Sequence, residues 1–466
     1  MLKAALPIVL IPGLVLAGCS ESVDQSSPNI LIIYADDLGW SDMGCYGSQK
    51  NETPMLDKLA SEGIRFTNAY APAPICSASR ASIMTGKSPA RLNFEFVSTE
   101  GRIDDKPLLP PKRTLELPLD EVTLGEVAGN AEYKTALFGK WHIARHKGEY
   151  LKWSDTHGPL QQGFEIGSDH YGSHPYDDIN QSPVDLPEGS FPKDSLVLKA
   201  INFLKEQEEE QKPFFMFFSS YYVHTPVIPN NSWLIEKYRK RLPGASDEEI
   251  KYAAFVETMD YYCGQILQAL EDFGLDENTL VIFTSDNGGH PKYTDNAPLR
   301  GNKWNLYEGG IREPFVVRWP GVLGEGTESA EPVIQYDILP TLCELLNQTI
   351  PRNVDGESLL PLLTGKSARL NREAIYWHFP YYHPPKSYEG TKPCSAIREG
   401  SDKLIYFYED ERIELYDLEN DLGETSDLSS VMPERAEQLK SRLINRLTEA
   451  GARFPTTNPD YLSEVE

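Results

Sequence analysis

Cys76 opens the run CSASRASIMTG (76–86), in which small residues flank the thiol and Arg80 follows it by four positions. A helix over this run, closed by Gly86, puts the thiol at the helix N-terminus, where the dipole favours negative charge. Arg80 then lies one turn on along the same face. That placement suits a reactive sulfur, expected to be activated and accessible rather than buried. Ser77, Ala78 and Ser79 are small enough to admit a modifying enzyme or a substrate. The other candidates stand just after apolar runs. Asp36 and Asp37 follow NILIIYA (29–35), and Lys140 and His142 follow KTALF (134–138). His224 follows PFFMFFSS (213–220), and Asp286 and Asn287 follow TLVIFTS (279–285). One such cluster says little, because polar residues follow most strands. Four brought to one place would combine oxygen-rich clusters with a cation and with imidazoles able to move protons.

The elements between these residues decide whether they meet. Nearly continuous apolar runs, the four above and PFVVRW (314–319), are expected to be strands of a parallel sheet buried on both faces. Helical patterns alternate with them. Val197, Ile201 and Leu204 form one stripe, and Val256, Met259, Cys263, Ile266 and Leu270 repeat at three and four. Such alternation implies an α/β fold, a large mostly parallel sheet sandwiched by helices. In open α/β sheets ligands bind beyond the carboxyl ends of strands, which is where every cluster falls. After about residue 350 short strands with Gly and charged turns suggest a smaller α+β unit with an antiparallel sheet. A last amphipathic helix ends at Gly451. The expected organisation is a leader over 1–18, a catalytic α/β domain over 28–350 and a C-terminal α+β subdomain over 351–466.

A formal net charge of -26 argues against nucleic acid as a partner, and an anionic substrate needs a local basic pocket. MLKAALPIVLIPGLVLAGCS is too short for a comfortable membrane span and reads as an export signal. Its LAGC end resembles a bacterial lipoprotein signal, which implies a membrane anchor through lipidated Cys19 and a place in the periplasm or outer membrane. Cys45, Cys263, Cys343 and Cys394 are scattered singly, so neither a zinc site nor a dense disulfide framework is indicated, although one pair could be bridged in an exported chain.

The Cys76 run resembles the signature of type I sulfatases, C-x-[PA]-x-R with a following T-G, and Ala78 stands where the commonest form has Pro. The resemblance covers nearly the whole mature chain in family order. It takes in YADDLGWSDMGCYG (34–47), GKWH (139–142), VHTP (223–226), SDNGG (285–289), GNKWNLYEGGIREP (301–314) and ELYDLENDLGE (414–424). It implies the alkaline phosphatase-like fold and a cysteine oxidised to the aldehyde formylglycine by a formylglycine-generating maturation enzyme. Asp36, Asp37, Asp286 and Asn287 are hard oxygen donors, suited to Ca2+ beside the modified Cys76. The family's mechanism implies that a hydroxyl of the aldehyde hydrate attacks sulfur and gives a covalent sulfate ester, with Asp286 taking its proton. Arg80 and Lys140 would stabilise hydrate and sulfate. His142 would remove the second hydroxyl's proton and so expel sulfate. His224 and Lys303 would bind sulfate, and one of them would protonate the departing sugar oxygen.

The expected activity is therefore sulfate-ester hydrolysis on a sulfated carbohydrate, probed against two rivals. One is phosphonate or phosphodiester hydrolysis on the same fold. The other is a non-catalytic glycan-binding lipoprotein. Tyr171, Tyr176, Tyr221, Trp377, Tyr381 and Tyr382 cluster in loop-like stretches with His170, His174, His378 and His383. Aromatic faces suit sugar rings, so YWHFPYYH (376–383) is expected to wall the pocket, with His378 or His383 against the sugar. His146, His157 and His290 lack a motif and are expected to be packing residues.

Overall fold

The computed structural model describes residues 27–97, 105–176, 178, 180, 182–383 and 391–461. The leader and Cys19 lie outside the described residues. The apolar runs do become strands: β1 (Asn29–Ala35), β2 (Ile64–Phe66), β3 (Lys134–Gly139), β4 (Ile166–Ser168), β5 (Phe214–Ser219), β6 (Thr279–Ser285), β7 (Phe315–Arg318) and β8 (Thr327–Ser329). They form one sheet in the order β8-β2-β7-β6-β1-β5-β3-β4. β1 is buried along its whole length, because alternate side chains enter different cores. Leu31, Ile33 and Ala35 join the core packed by α1 (Pro54–Ser61), α3 (Ser195–Glu210) and α4 (Asp247–Asp272). Ile30, Ile32 and Tyr34 join the core packed by α2 (Cys76–Thr85) and α5 (Ile338–Leu345). The sheet is thus covered on both faces, as an unbroken apolar strand requires.

One strand runs against expectation. β7 pairs antiparallel with both β6 and β2. A parallel partner needs a crossover that carries the chain back along the sheet, usually on a helix. Between β6 and β7 the only helix is the single turn Glu308–Ile311, so the chain stays at the carboxyl edge and re-enters the sheet from there.

Beyond this layer, β9 (Ile375–Phe379), β10 (Cys394–Glu399), β11 (Asp402–Phe407) and β12 (Ile413–Asp417) form an antiparallel meander. α6 (Pro433–Ala450) lays Leu439, Leu443 and Leu447 on Ile397, Leu404 and Leu415 of that sheet. It ends where Gly451 turns left-handed at φ 76°. Among the described residues no helix is long and apolar enough to cross a membrane. The five described cysteines, Cys45, Cys76, Cys263, Cys343 and Cys394, are all free thiols, so no pair among them is bridged.

The segment expected to wall the pocket mostly does something else. Tyr376, Trp377, His378 and Phe379 lie within β9 and are buried on both faces of the small sheet. The Trp377 indole donates to the Ala71 carbonyl at 2.9 Å, Tyr381 packs on Phe96 and Tyr382 donates to Glu409. These rings seal the joint between the sheets rather than face a sugar. His378 is 2 % exposed; its Nε2 donates to the Arg453 carbonyl at 3.1 Å and its Nδ1 accepts from Ser395 Oγ at 2.7 Å. The expected sugar contact at His378 is therefore corrected. An unalternating aromatic run followed by Pro looks like a loop, but a strand covered on both faces reads the same way.

A consequence can be measured. Burial pushes the His378 imidazole down to about 4, against about 6.5 in the unfolded chain. Its folded pKa is depressed, so its contribution is present above pH 6.5 and is lost as the pH falls from 6.5 towards 4, at about 1.4 kcal/mol per pH unit. The His378→Ala protein is expected to unfold at a lower temperature at pH 7.5, and to lose activity on large and small substrates together. A loss confined to the large substrate would restore His378 to the pocket.

Candidate active site

Strand register assembles the site. Ala35 pairs with Ser285, Tyr34 with Ser219 and Gly139 with Ser219, so β1, β6, β5 and β3 end on one line. Asp36, Asp286 and Lys140 are the next residues of their strands and emerge side by side. Gly139 allows this: its φ is 106°, and a Cβ there would stand 1.9 Å from the Ser219 carbonyl oxygen. Lys140 Nζ reaches Asp36 Oδ2 at 2.6 Å. Arg80 donates through Nε and Nη2 to Asp286 Oδ2 at 3.0 and 2.7 Å, and through Nη1 to the Lys140 carbonyl and Ser219 Oγ.

Cys76 is the first residue of α2, and Gly86 ends that helix in a left-handed turn, as the sequence predicts. Its Sγ lies 3.4 Å from His142 Nδ1. The expected exposure is not found. Cys76 is 2 % exposed, Ser77, Ala78 and Ser79 are fully buried, and burial raises the thiol pKa despite Lys140 and Lys303 nearby. The thiol belongs to a buried cluster built from segments far away in the chain, including Trp304, whose backbone N–H donates to the Pro74 carbonyl at 2.7 Å. Burial, reinforced by Lys140, also holds His142 well below the usual histidine range, so it stands neutral.

Asp37 is gripped from the other side. Lys303 Nζ lies 2.6 and 2.7 Å from its two oxygens, Asn287 Nδ2 donates to Oδ1 at 2.8 Å, and His224 Nε2 is 3.6 Å from Oδ2. Burial opposes its ionisation, but Lys303 and His224 hold Asp37 well below the usual carboxylate range. Burial, and after it Lys303, push His224 down to about 3. Asp286 goes the other way, to about 6, because it is buried beside Asp36. The structure therefore gathers all ten candidates, Cys76, Arg80, Lys140, His142, His224, Lys303, Asp36, Asp37, Asp286 and Asn287, at one place.

The donors fit a hard cation. Asp36 Oδ1 and Asn287 Oδ1 are buried without a hydrogen-bond partner, a costly state that a cation would relieve. The ligand atoms of Asp36, Asp37 and His224 also lie within 4.8 Å of one another. A histidine nitrogen would favour a softer metal, whereas the two orphaned atoms are both oxygens. The oxygen set of Asp36, Asp37, Asp286 and Asn287 is the better match.

Lys303 depends on the small sheet. Its loop is tied by Thr391 Oγ1 donating to the Trp304 carbonyl and by Lys403 of β11, fully buried, bridging Glu308 and Glu424 at 2.8 Å each. Glu424 Oε2 in turn accepts from the Glu308 N–H at 2.7 Å. Three non-glycine residues here take left-handed backbone: Asp37 at φ 65°, His142 at 58° and Trp304 at 77°. Each such residue costs on the order of 1–3 kcal/mol, and such strain gathers where a side chain must be aimed.

Several rings surround these groups. His146 and His290, expected as packing residues, pack on the site: the His146 ring centroid is 5.4 Å from that of His142, and that of His290 is 5.2 Å from Trp304. Tyr176 OH meets His224 Nδ1 at 2.5 Å, and His174 Nε2 lies 3.0 Å from the His224 carbonyl oxygen, so both support His224. His383 stacks on Trp304 at 4.1 Å. His157 sits apart, beside Glu116. Ser219, which bonds Arg80, is the last residue of β5.

Comparison with known proteins agrees with this geometry. Residues 28–348 match the family model described as Sulfatase, and 301–453 match that of the N-sulphoglucosamine sulphohydrolase C-terminal region. The chain is 31% identical over 513 residues to a sulfatase of Formosa agariphila, covering 94% of this chain and 91% of that protein. It is 31% identical over 390 residues to the N-acetylgalactosamine-6-sulfatase of Canis lupus familiaris, covering 78% and 70%. Its fold is shared with the crystal structure of Ps i-CgsB in complex with k-i-k-neocarrahexaose, at TM-score 0.73 and 24% identity, covering 94% and 96%.

Proposed function

This chain belongs to the sulfatase family, and on that premise we propose that it removes sulfate from a sulfated carbohydrate through formylglycine made from Cys76, beside a Ca2+ ion. The observation that carries this reading is the meeting of Cys76 Sγ with His142 Nδ1 at 3.4 Å, inside a ring of three buried cations and three buried carboxylates. The carbohydrate class is supported by the sugar substrate named for the N-acetylgalactosamine-6-sulfatase relative.

Formylglycine, when hydrated, supplies an oxygen nucleophile where the thiol now stands, and Ca2+ held by Asp36, Asp37, Asp286 and Asn287 supplies a fixed positive charge for sulfate oxygens. The chain's own residues supply the rest. Arg80, Lys140 and Lys303 are charged, buried and already aligned, so they offset developing negative charge without reorganising. His142, neutral through burial, takes a proton from the group at position 76. On this reading Lys303 and His224 would meet the departing sugar oxygen, and the ammonium of Lys303, kept protonated by Asp37, would supply the proton.

Cys76 and its neighbours are buried, so the oxidising maturation enzyme must act before the chain closes over them. Export and anchoring through lipidated Cys19 complete the proposal, supported by the LAGC stretch. The direct test is to incubate matured protein with a panel of sulfated saccharides, phosphodiesters and phosphonates and to measure released sulfate and phosphate. Sulfate release from a saccharide is expected; phosphate release alone would overturn the reading.

A further inference from the structure

The reacting groups account for the sulfate end of a substrate, which leaves the sugar without a partner on the mouth of the site. Most aromatic residues near Cys76 are buried and already packed. Trp377, Tyr381, Tyr221 and Tyr176 belong to this class or bond a neighbouring residue. Tyr150 differs. It is 48% exposed, and its ring still stands beside the catalytic groups. Its centroid is 6.3 Å from the ring of His142, which meets Cys76, and 5.5 Å from the ring of Tyr176, which bonds His224. The ring therefore stands next to His142 and next to the ring that supports His224, with one part open to solvent.

Its position is built rather than incidental. His146 meets it edge-on at 5.1 Å and 84°, and the Tyr171 hydroxyl donates to the Tyr150 carbonyl. The next residue, Leu151, is 1 % exposed in the main core and has φ 62°, a turn that pins the loop directly behind the ring. An exposed aromatic ring held this firmly loses little conformational freedom when a ligand packs on it. The chemistry that matches a half-open aromatic ring beside an anion site is the apolar C–H face of a pyranose whose sulfate points at the cations.

We propose that Tyr150 is the platform on which the substrate's sugar ring stacks, and so a residue that determines specificity. This rests on the carbohydrate-sulfatase reading above. The sulfate-binding residues do not distinguish sugar from other alcohols, so the ring that touches the leaving group does.

The test measures kcat/KM of the Tyr150→Ala and Tyr150→Phe proteins on a sulfated saccharide that the parent protein hydrolyses, with inhibition by inorganic sulfate and the unfolding midpoint in parallel. Tyr150→Ala is expected to lower kcat/KM about tenfold, chiefly through KM, which corresponds to about 1.4 kcal/mol. Inorganic sulfate should inhibit it at much the same concentration, because the free anion does not reach the ring. Tyr150→Phe keeps the face and should stay within about threefold of the parent. The inference is overturned if Phe falls as far as Ala, if sulfate inhibition weakens in step with kcat/KM, or if Ala loses nothing. A parent protein that releases no sulfate from any saccharide overturns the function proposed above instead, and is seen before any variant is made.

Discussion

Replacing Cys76 by alanine is expected to end sulfate release while leaving a folded protein. The methyl group of alanine carries no oxygen or sulfur nucleophile, and no other side chain in the site stands where Cys76 does. Loss of a nucleophile that acts with a partner base costs about a thousandfold or more in kcat. The structural cost is small: the side chain shrinks by one atom at the first position of α2, which keeps its left-handed Gly86 end and the Arg80 contacts. The unfolding midpoint should therefore stay near that of the parent protein, by circular dichroism or calorimetry. Peptide mass spectrometry of the active parent should show position 76 without its sulfur and two hydrogens and with one oxygen gained. Full turnover by protein whose Cys76 is an intact thiol would sink the mechanism.

Chelation of Ca2+ should be the second large effect. Asp36, Asp37 and Asp286 set three negative charges against the three positive charges of Arg80, Lys140 and Lys303. A divalent cation alone, or a sulfate dianion alone, upsets that balance inside a buried site, while the two together restore it. Ca2+ and inorganic sulfate are thus expected to bind with mutual reinforcement. Removal of the metal should lower turnover about a hundredfold or more, the scale of several kcal/mol of charge stabilisation. Ca2+ should restore it better than Zn2+, because the orphaned donors are oxygens. The readout apart from activity is thermal. Ligand at about a hundred times its dissociation constant adds about 2.7 kcal/mol of stability, and Ca2+ with sulfate should raise the midpoint by more than the sum of each alone. Strictly additive shifts, or rescue by Zn2+ alone, would contradict this account.

The main sheet was legible because its strands are apolar on both faces. NILIIYA and TLVIFTS match β1 and β6 residue for residue, and the polar residue that follows each marks the edge where the site forms. The helix from Cys76 was legible through Gly86. Parts that depend on distant chain were not. No local pattern tells that His142 meets the Cys76 thiol or that Trp304 joins its buried cluster, so its burial is not legible in the run itself. The direction of β7 follows from a loop that stays at one edge, which apolar content does not encode. His378 was misplaced because a doubly covered aromatic strand carries no alternation to set it apart from a loop. Tyr150 escaped notice because HKGEYLKW carries no motif, and only the stacking of rings shows what it stands beside.

Lys403 has a consequence for how such enzymes can be recombined. It belongs to the small sheet, yet its two partners are glutamates from elsewhere, one on the loop that carries Lys303 and one beyond β12. Grafting a foreign C-terminal module onto residues 28–350 would leave Glu308 with Arg312 but take Lys403 from it, unless the module brings a lysine at the equivalent place. Breaking a buried pair outright costs about 3–5 kcal/mol, of which Arg312 would offset a part, so the loop should loosen. The two parts of the chain are thus a matched key and lock, exchangeable only as a set, and a chimera library built at this seam should recover activity only in those members that inherit Glu308, Lys403 and Glu424 from one parent.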